Sequence, residues 1–472
     1  MYNKKQHLHF VGIGGVGMAG IAEVLLNLGY PVSGSDMRST ALTGHLASLG
    51  AVLSFEHRAE NVVPGTSVVV YSSAVKSDNP EIVAARSLGI PVIARAEMLA
   101  ELMRMKYGIA VAGSHGKTTT TSMTAHLLRL GDLDPTVIIG GRVLSDLSGA
   151  SLGRGDYLVA EADESDGSFR FLKPAIAVVT NIDAEHMSFY ESFGKLESAF
   201  FEFLSSLPFY GLAVLCKDNP VVMKMALRLE RRICTYGLSP EADICARDIC
   251  QEGNGTYFNA LVDGEDIGRF HLPLPGSHMV CNSLASLAVA RELGIEPKEA
   301  AGYLGSFSGV VRRSQVLFEN AGVVLIDDYG HHPTEIVATL RSIRAGWISA
   351  QGSKGKRLRV VFEPHRYTRT RDHFAQFVKA FDDADEVTIT NIYPAGELPI
   401  ENVSGEQLSL ALDHPSSCFT TNPAQALEAI FSDARCGDVI VTLGAGSIGQ
   451  AAQACAKDLR NHKYENAIGH GD

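Results

Sequence analysis

Short runs of β-branched and apolar residues alternate with longer stretches in which apolar positions recur every three to four residues, and this holds over most of the chain. Runs of about four to six such residues read as strands buried on both faces, and the intervening stretches as helices that cover the sheet. That alternation is the βαβ rhythm of parallel sheets, so the fold class is α/β. The first hundred residues predict strands at His7–Val11, Pro31–Ser35, Ser67–Tyr71 and Pro91–Ala94, with helices near Gly17–Leu28 and Ala96–Met105. A new strand at Tyr107–Ala112 opens a second series, continued near Asp156–Ala160, Ala175–Thr180 and Ala213–Cys216. Its tail, Ile233–Pro275, is punctuated by glycine and rich in strand formers, and Gly276–Leu293 reads as a helix stopped by Gly294. After Arg313 a third series runs through Val323–Ile326, Arg359–Phe362, Glu386–Thr390, Cys418–Thr421 and Asp438–Thr442. Three domains follow, 1–105, 106–309 and 310–472, and a length of 472 residues agrees with them at roughly 150 residues per domain.

Composition narrows the class. The chain is 46% hydrophobic and 20% charged, the make-up of a soluble globular protein. Lys and Arg total 41 against 53 Asp and Glu, a net charge of −12, the wrong sign for neutralising a nucleic-acid backbone, so no nucleic-acid partner is expected. The opening MYNKKQHLHFVGIGG lacks the apolar core of a signal peptide, and no apolar run approaches the roughly 18 residues of a membrane span. The 8 cysteines contain no C-x-x-C pair, which suits buried thiols in a reducing compartment better than disulfides or zinc. A cytosolic protein without a membrane partner is expected.

Three glycine turns carry candidate chemistry. Gly12-Ile13-Gly14-Gly15-Val16-Gly17 follows a strand and opens a helix, and Asp36 ends the next strand, as a dinucleotide fingerprint requires. The physical content is wider than NAD(P): backbone N–H groups and a helix N-terminus can approach any nucleotide diphosphate. Gly444-Ala445-Gly446-Ser447-Ile448-Gly449 comes after the last strand with no β unit behind it, and reads as a strand-to-helix turn. Gly113-Ser114-His115-Gly116-Lys117-Thr118-Thr119 is a variant phosphate loop, with Val111 where a strict Walker motif has glycine. Its amides cradle phosphates, Lys117 reaches the β and γ oxygens, and the Thr118 hydroxyl suits Mg²⁺. The apolar strand ending at Glu161 supplies a metal ligand, and the next strand brings His186 to the same rim of the sheet. In the third series, Asp327-Asp328-Tyr329-Gly330-His331-His332-Pro333 and His365-Arg366-Tyr367-Thr368-Arg369 follow two strands, and Arg366 with Arg369 could clamp a carboxylate. Arg312 and Arg313 stand at the junction of the second and third domains, where a cation could reach ATP.

The sequence resembles the Mur ligase family. The resemblance rests on HFVGIGGVGMAGIAEVL, SGSD, SSAV followed by NPE, GSHGKTTTT, EADESDGSF, VTNIDAEHM, the arginine pair, DDYGHHPTEI and PHRYTRTRD, in order along nearly the whole chain. It implies a Rossmann-like N-terminal domain, a P-loop ATPase-like central domain and a Rossmann-like C-terminal domain. It further implies an ATP- and Mg²⁺-dependent ligase that joins L-alanine to the muramoyl carboxylate of UDP-N-acetylmuramate through an acyl phosphate, in cytoplasmic peptidoglycan precursor synthesis, as a monomer or homodimer.

Carried over by residue, Gly12, Gly14, Gly15, Gly17, Met18, Ser35, Asp36 and Ser72 would hold the uridine diphosphate substrate. Gly113 to Thr119 would hold ATP, with His278 and Asn282 near adenine; Thr118 and Glu161 would bind one Mg²⁺, and His186 a second. Lys117 and Arg313 would neutralise phosphate charge, Tyr329, His331, Arg366 and Arg369 would surround the amino acid, and Asp328 would lie near ATP or the amine. Two positions depart from the family: Met279 replaces an asparagine, and no lysine clearly matches one that sister ligases carbamoylate, Lys195 being near. A sister ligase with another acceptor, an NAD-dependent oxidoreductase built on the first glycine turn, and an ATP-driven switch are the competing readings.

Overall fold

A computed structural model describes residues 6–72, 74–139, 150–349 and 355–461. The first sheet contains β1 (His7–Val11), β2 (Val32–Ser35), β3 (Val52–Ser54), β4 (Thr66–Tyr71) and β5 (Val92–Ala94), in the order β3-β2-β1-β4-β5 and parallel throughout. Central β1 is apolar because both its faces are covered, and Phe10 and Val11 are fully buried. The sequence pattern did not suggest β3 or the helix Ala41–Ser48 before it. That helix buries only Thr43 and Leu46, and β3 is a three-residue edge strand with Val52 exposed, so neither leaves an apolar stripe.

The second sheet holds β6 (Tyr107–Ala112), β7 (Thr136–Ile138), β8 (Ala150–Ser151), β9 (Tyr157–Glu161), β10 (Ile176–Val179), β11 (Leu212–Cys216), β12 (Arg232–Gly237), β13 (Ile244–Glu252), β14 (Gly255–Val262) and β15 (Glu265–Leu272). Their order is β15-β14-β13-β12-β11-β10-β6-β9-β7-β8. The register Val111 with Glu161 and Ala112 with Val179 brings the ends of β6, β9 and β10 to one level. The helix Phe193–Ser205 buries Leu196, Ala199, Phe200, Phe203 and Leu204, a stripe at helical spacing that meets Phe169.

The third sheet has β16 (Gln315–Asn320), β17 (Val323–Asp328), β18 (Leu358–Phe362), β19 (Glu386–Ile389), β20 (Ser417–Phe419) and β21 (Val439–Leu443), in the order β16-β17-β21-β18-β19-β20. Only β16, which the sequence reading did not anticipate, is antiparallel to its neighbour. The three sheets with their covering helices make a three-domain α/β protein. By packing, the chain forms two compact units: Met1–Arg247 with Asn259–Phe270 and Cys281–Ser308, and Asp248–Phe258 with His271–Val280 and Gly309–Asp472.

No described helix is long and apolar enough to cross a membrane. All eight cysteines are free thiols, and where buried thiols were expected, Cys216 and Cys245 are buried but Cys250, Cys418 and Cys436 are exposed.

Candidate active site

β6 runs into Gly113, and the helix Lys117–Leu130 begins at Gly116, whose φ of 82° is a left-handed conformation suited to glycine. Beside the turn, the end of β10 ties it down. The His115 amide donates to Asn181 Oδ1 (2.9 Å), Thr180 Oγ1 donates to the His115 carbonyl (2.6 Å), and the Ser114 amide donates to the Asn181 carbonyl (3.0 Å). His115 Nε2 lies 3.2 Å from Asp183, while Thr119 is buried in the first helical turn. Asn282 packs on Gly116, where an added Cβ would come within 2.7 Å of its Oδ1.

Lys117 Nζ donates to the Gly113 carbonyl (2.6 Å) and to Glu164 (2.9 Å). Thr118 Oγ1 donates to Glu161 (3.1 Å), which the β6–β9 register sets level with Val111. Glu164, Glu185 and His186 bring ligand atoms within 4.8 Å of one another, and His186 is held at a φ of 57°. Burial pushes the Lys117 ammonium down, but Glu164, Glu161 and Asp163 more than offset this and hold it well above its ordinary value. Burial pushes the Glu164 carboxyl up to about 7 against the pull of Lys117. A hydroxyl and three carboxylates around one turn are the hard oxygen donors that Mg²⁺ takes, and the imidazole adds a borderline one, so the residues fit the ion. Glu164 and Glu185 were not singled out from sequence; the signal was the run Glu161-Ala162-Asp163-Glu164, in which spacing alone does not show which acid faces Lys117.

The first glycine turn is built differently. Gly12 has φ 82°, and the Gly12 and Ile13 amides donate to the Ser35 carbonyl at 2.8 and 3.0 Å. The Gly14 amide donates to Asp36 Oδ2 (2.8 Å) and the Met37 amide to Asp36 Oδ1 (2.7 Å), so Asp36 organises the turn through its backbone. Met18 and Ser35, expected at the substrate, are buried beneath the turn. The Ser35 hydroxyl donates to Glu81 (2.6 Å), whose carboxylate also meets His9 (3.1 Å) and Asn61 (2.7 Å). Burial pushes Glu81 up, yet the hydrogen bonds of His9, Ser35 and Asn61 outweigh it and bring it down to about 2. Ser72 and Gly17 border the turn, with Ser72 against Gly12 and the Arg95 guanidinium against Gly17. Gly15 is the N-cap of the helix Val16–Asn27. Arg95 also lies 3.6 Å from Asp163. Neither Glu81 nor Arg95 was singled out from sequence, because their partners are distant along the chain.

In the C-terminal domain Asp328 is buried and accepts from the amides of Ser314 (2.6 Å) and Gly330 (2.7 Å), which fixes both flanking loops. Arg312 pairs with Asp327 (2.9 Å), and Arg313 stands 3.8 Å from Glu335. Both guanidinium groups lie 5.1 Å from the Tyr329 ring centroid. His331 contacts the Tyr329 carbonyl (3.0 Å) and faces His365, which stacks on Tyr393. Arg369 donates to His365 Nδ1 (3.2 Å). The structure thus brings Tyr329, His331 and Arg369 together through His365, whereas Arg366 is half exposed, with Glu397 at 4.0 Å.

His278, expected near adenine, has its imidazole pushed down by burial and lies 3.5 Å from the Ser342 hydroxyl. Met279 is buried, and Lys195 pairs with Glu191 on the exposed side of its helix.

The last glycine turn is filled from within. Glu363 accepts from the Ile448 amide (2.9 Å) and from the Ser447 hydroxyl (2.5 Å), so a protein carboxylate occupies the N-terminus of the helix Ile448–Asn461.

Comparison with known proteins agrees with this architecture. Residues 7–107 match the Mur ligase family, catalytic domain; 111–290 match the Mur ligase middle domain; and 312–446 match the Mur ligase, glutamate ligase domain. UDP-N-acetylmuramate--L-alanine ligase of Geotalea daltonii is 51% identical over 98% of this chain and 99% of its own length. The protein of the same name from Geobacter sulfurreducens is 51% identical over 96% of this chain and 98% of its own. The crystal structure of UDP-N-acetylmuramate-alanine ligase from Thermotoga maritima superposes with a TM-score of 0.80 at 27% identity, covering 97% of this chain and 99% of that one. Three matched domains in one order, around a lysine turn and a separate glycine turn, establish that the chain belongs to the Mur ligase family.

Proposed function

We propose that the chain is an ATP-dependent ligase that joins L-alanine to the muramoyl carboxylate of UDP-N-acetylmuramate in the cytoplasm, for peptidoglycan precursor synthesis. The observation that carries this reading is the convergence of Lys117, Thr118, Glu161, Glu164 and His186 on one glycine turn. Such a constellation suits phosphoryl transfer, in which catalysis is positioning and charge neutralisation. The names of relatives about half identical over nearly the whole chain supply the two substrates.

The division of labour follows the three domains, 1–105, 106–309 and 310–472. The Val16 and Gly17 amides, at the uncapped N-terminus that follows the first glycine turn, hold the uridine diphosphate, with Ser72 at its edge and Gly12, Gly14, Gly15, Asp36, Ser35 and Met18 shaping the turn. The Gly113–Thr119 turn holds the ATP phosphates, with Lys117 on the charge that develops as the muramoyl carboxylate attacks the γ-phosphorus and ADP departs. His278 and Asn282 flank the base. Thr118 and Glu161 would hold one Mg²⁺, and His186 with Glu164 a second; the ions would neutralise phosphate charge. Arg313 adds positive charge for the phosphates, and Asp328 fixes the loops that carry Arg313 and Tyr329. Arg369 and Arg366 orient the alanine carboxylate, with Tyr329 and His331 about its amine. That amine attacks the acyl carbonyl, phosphate leaves and the amide forms.

Phosphate release from Mg²⁺-ATP, measured with UDP-N-acetylmuramate and a panel of amino acids, tests the reading. Release is expected to need both substrates and to be fastest with L-alanine. Release indifferent to them would point to an ATP-driven switch, and preference for another acceptor to a sister ligase.

A further inference from the structure

β11 ends at Cys216, which is buried, and the chain turns at once through Asp218. Asp218 is exposed, and its carboxylate is fixed by the amides of Leu238 (2.6 Å) and Ser239 (2.9 Å). It lies over Gly237, where an added Cβ would come within 2.7 Å of its oxygen. Cys281, in the helix Ser277–Glu292, places its Sγ 3.8 Å from that of Cys216. The three side chains offer two sulfurs and one oxygen, all within 4.8 Å of one another. None of them has a part in the phosphate chemistry described above.

We propose that Cys216, Asp218 and Cys281 form a binding site for a soft divalent cation of the zinc class. Two thiolates on a tetrahedral ion, each about 2.3 Å from it, stand about 3.8 Å apart. The observed sulfur separation already has that value, so both sulfurs could ligate one ion without a change in their spacing. A disulfide would instead require the sulfurs to close to about 2.05 Å. Thiolate and carboxylate together favour zinc or cadmium over magnesium, which prefers oxygen donors alone. Binding replaces both thiol protons, which leave to solvent, and the exposed Asp218 marks the way in. Asn282, the residue after Cys281, rests on Gly116 of the phosphate turn, so the ion would pin the helix that braces that turn.

Titration of the reduced, metal-free full-length protein with Cd²⁺, read by the thiolate-to-cadmium charge-transfer absorption, tests the site independently of any ligase activity. Wild type is expected to saturate at one equivalent, with Zn²⁺ competing, and to show a raised thermal unfolding midpoint when loaded. Cys216→Ser and Cys281→Ser are expected to lose the band and the shift. Asp218→Asn, which retains both thiols, is expected to keep the band but to weaken Cd²⁺ binding by about tenfold or more. Absence of the band in wild type, or its full retention in both serine variants, overturns the site, the latter by placing the metal on exposed Cys250, Cys418 or Cys436. Unchanged Cd²⁺ affinity in Asp218→Asn overturns the three-ligand assignment even if the serine variants misfold.

Discussion

Arg369 donates to Nδ1 of His365, and because a guanidinium accepts nothing, that nitrogen must be unprotonated. Burial first, then the positive neighbours His331, Arg369, Arg366 and Arg312, bring His365 down to about 3. A neutral imidazole can therefore hold the guanidinium in place across the whole neutral range. Since the folded value lies below the ordinary 6.5, the stability His365 confers is intact above 6.5 and is lost as the pH falls toward 3. Urea midpoints from pH 7 to 4 are expected to fall less steeply in His365→Asn than in wild type; equal slopes would show that the imidazole is protonated in place. Arg369→Ala is expected to raise the KM for alanine on the order of 10- to 100-fold, the worth of a charge-assisted hydrogen bond, with the KM for ATP unchanged. An unaltered alanine KM would return Arg369 to the surface. Lys117→Ala is expected to lower kcat by at least about a thousandfold while the far-ultraviolet circular dichroism stays native, and near-normal ligation would remove it from the phosphate site.

Two helices begin after glycine turns of the same spelling, and the structure gives them opposite fates. The helix at Val16 has no side-chain cap, which leaves its first amides open to an anion; the helix at Ile448 is capped by Glu363 from the end of β18. The sequence marks both as strand-to-helix turns, but the group that fills the second stands some eighty residues earlier, and no local pattern shows it. Glu81 is hidden in the same way, since its partners Ser35 and His9 lie on strands 46 and 72 residues away. Apolar runs such as Ile176–Val179 and Leu212–Cys216 were legible because burial on both faces writes itself into every residue of a strand. The three-residue β3 carries too little apolar surface to do so. Glu363→Ala strands the Ile448 amide and the Ser447 hydroxyl, and is expected to cost about 1–3 kcal/mol in chemical denaturation. Glu363→Gln is expected to lose less, because burial already pushes this carboxyl toward its neutral form. If the alanine variant were as stable as wild type, the carboxylate would not be what occupies that turn.

At the scale of the molecule, the glycine turns at Gly12 and Gly113 belong to different sheets yet share one compact unit, and Arg95 reaches from one toward the strand beside the other. It heads the helix after β5, lies against Gly17 of the first glycine turn, and stands 3.6 Å from Asp163, two residues beyond Glu161. The ion pair is partly exposed, so it contributes at most about 1 kcal/mol to stability. Its value must then lie in position, because a ligase has to bring the muramoyl carboxylate to the γ-phosphorus within about 3–3.5 Å. Arg95→Ala is accordingly expected to leave the thermal unfolding midpoint nearly unchanged and to raise the KM for UDP-N-acetylmuramate roughly tenfold, with the KM for ATP unaffected. The complementary variant Asp163→Asn separates the two roles of Arg95. If the guanidinium acts on the substrate turn alone, Asp163→Asn keeps the normal muramoyl KM. If the pair aligns the two sites, Asp163→Asn reproduces the Arg95→Ala effect, and the double variant adds nothing further, because residues that act through one contact are not additive. A rise in the KM for ATP in Arg95→Ala would instead show that Arg95 serves the phosphate turn through Asp163, and the link to the first glycine turn would be packing only.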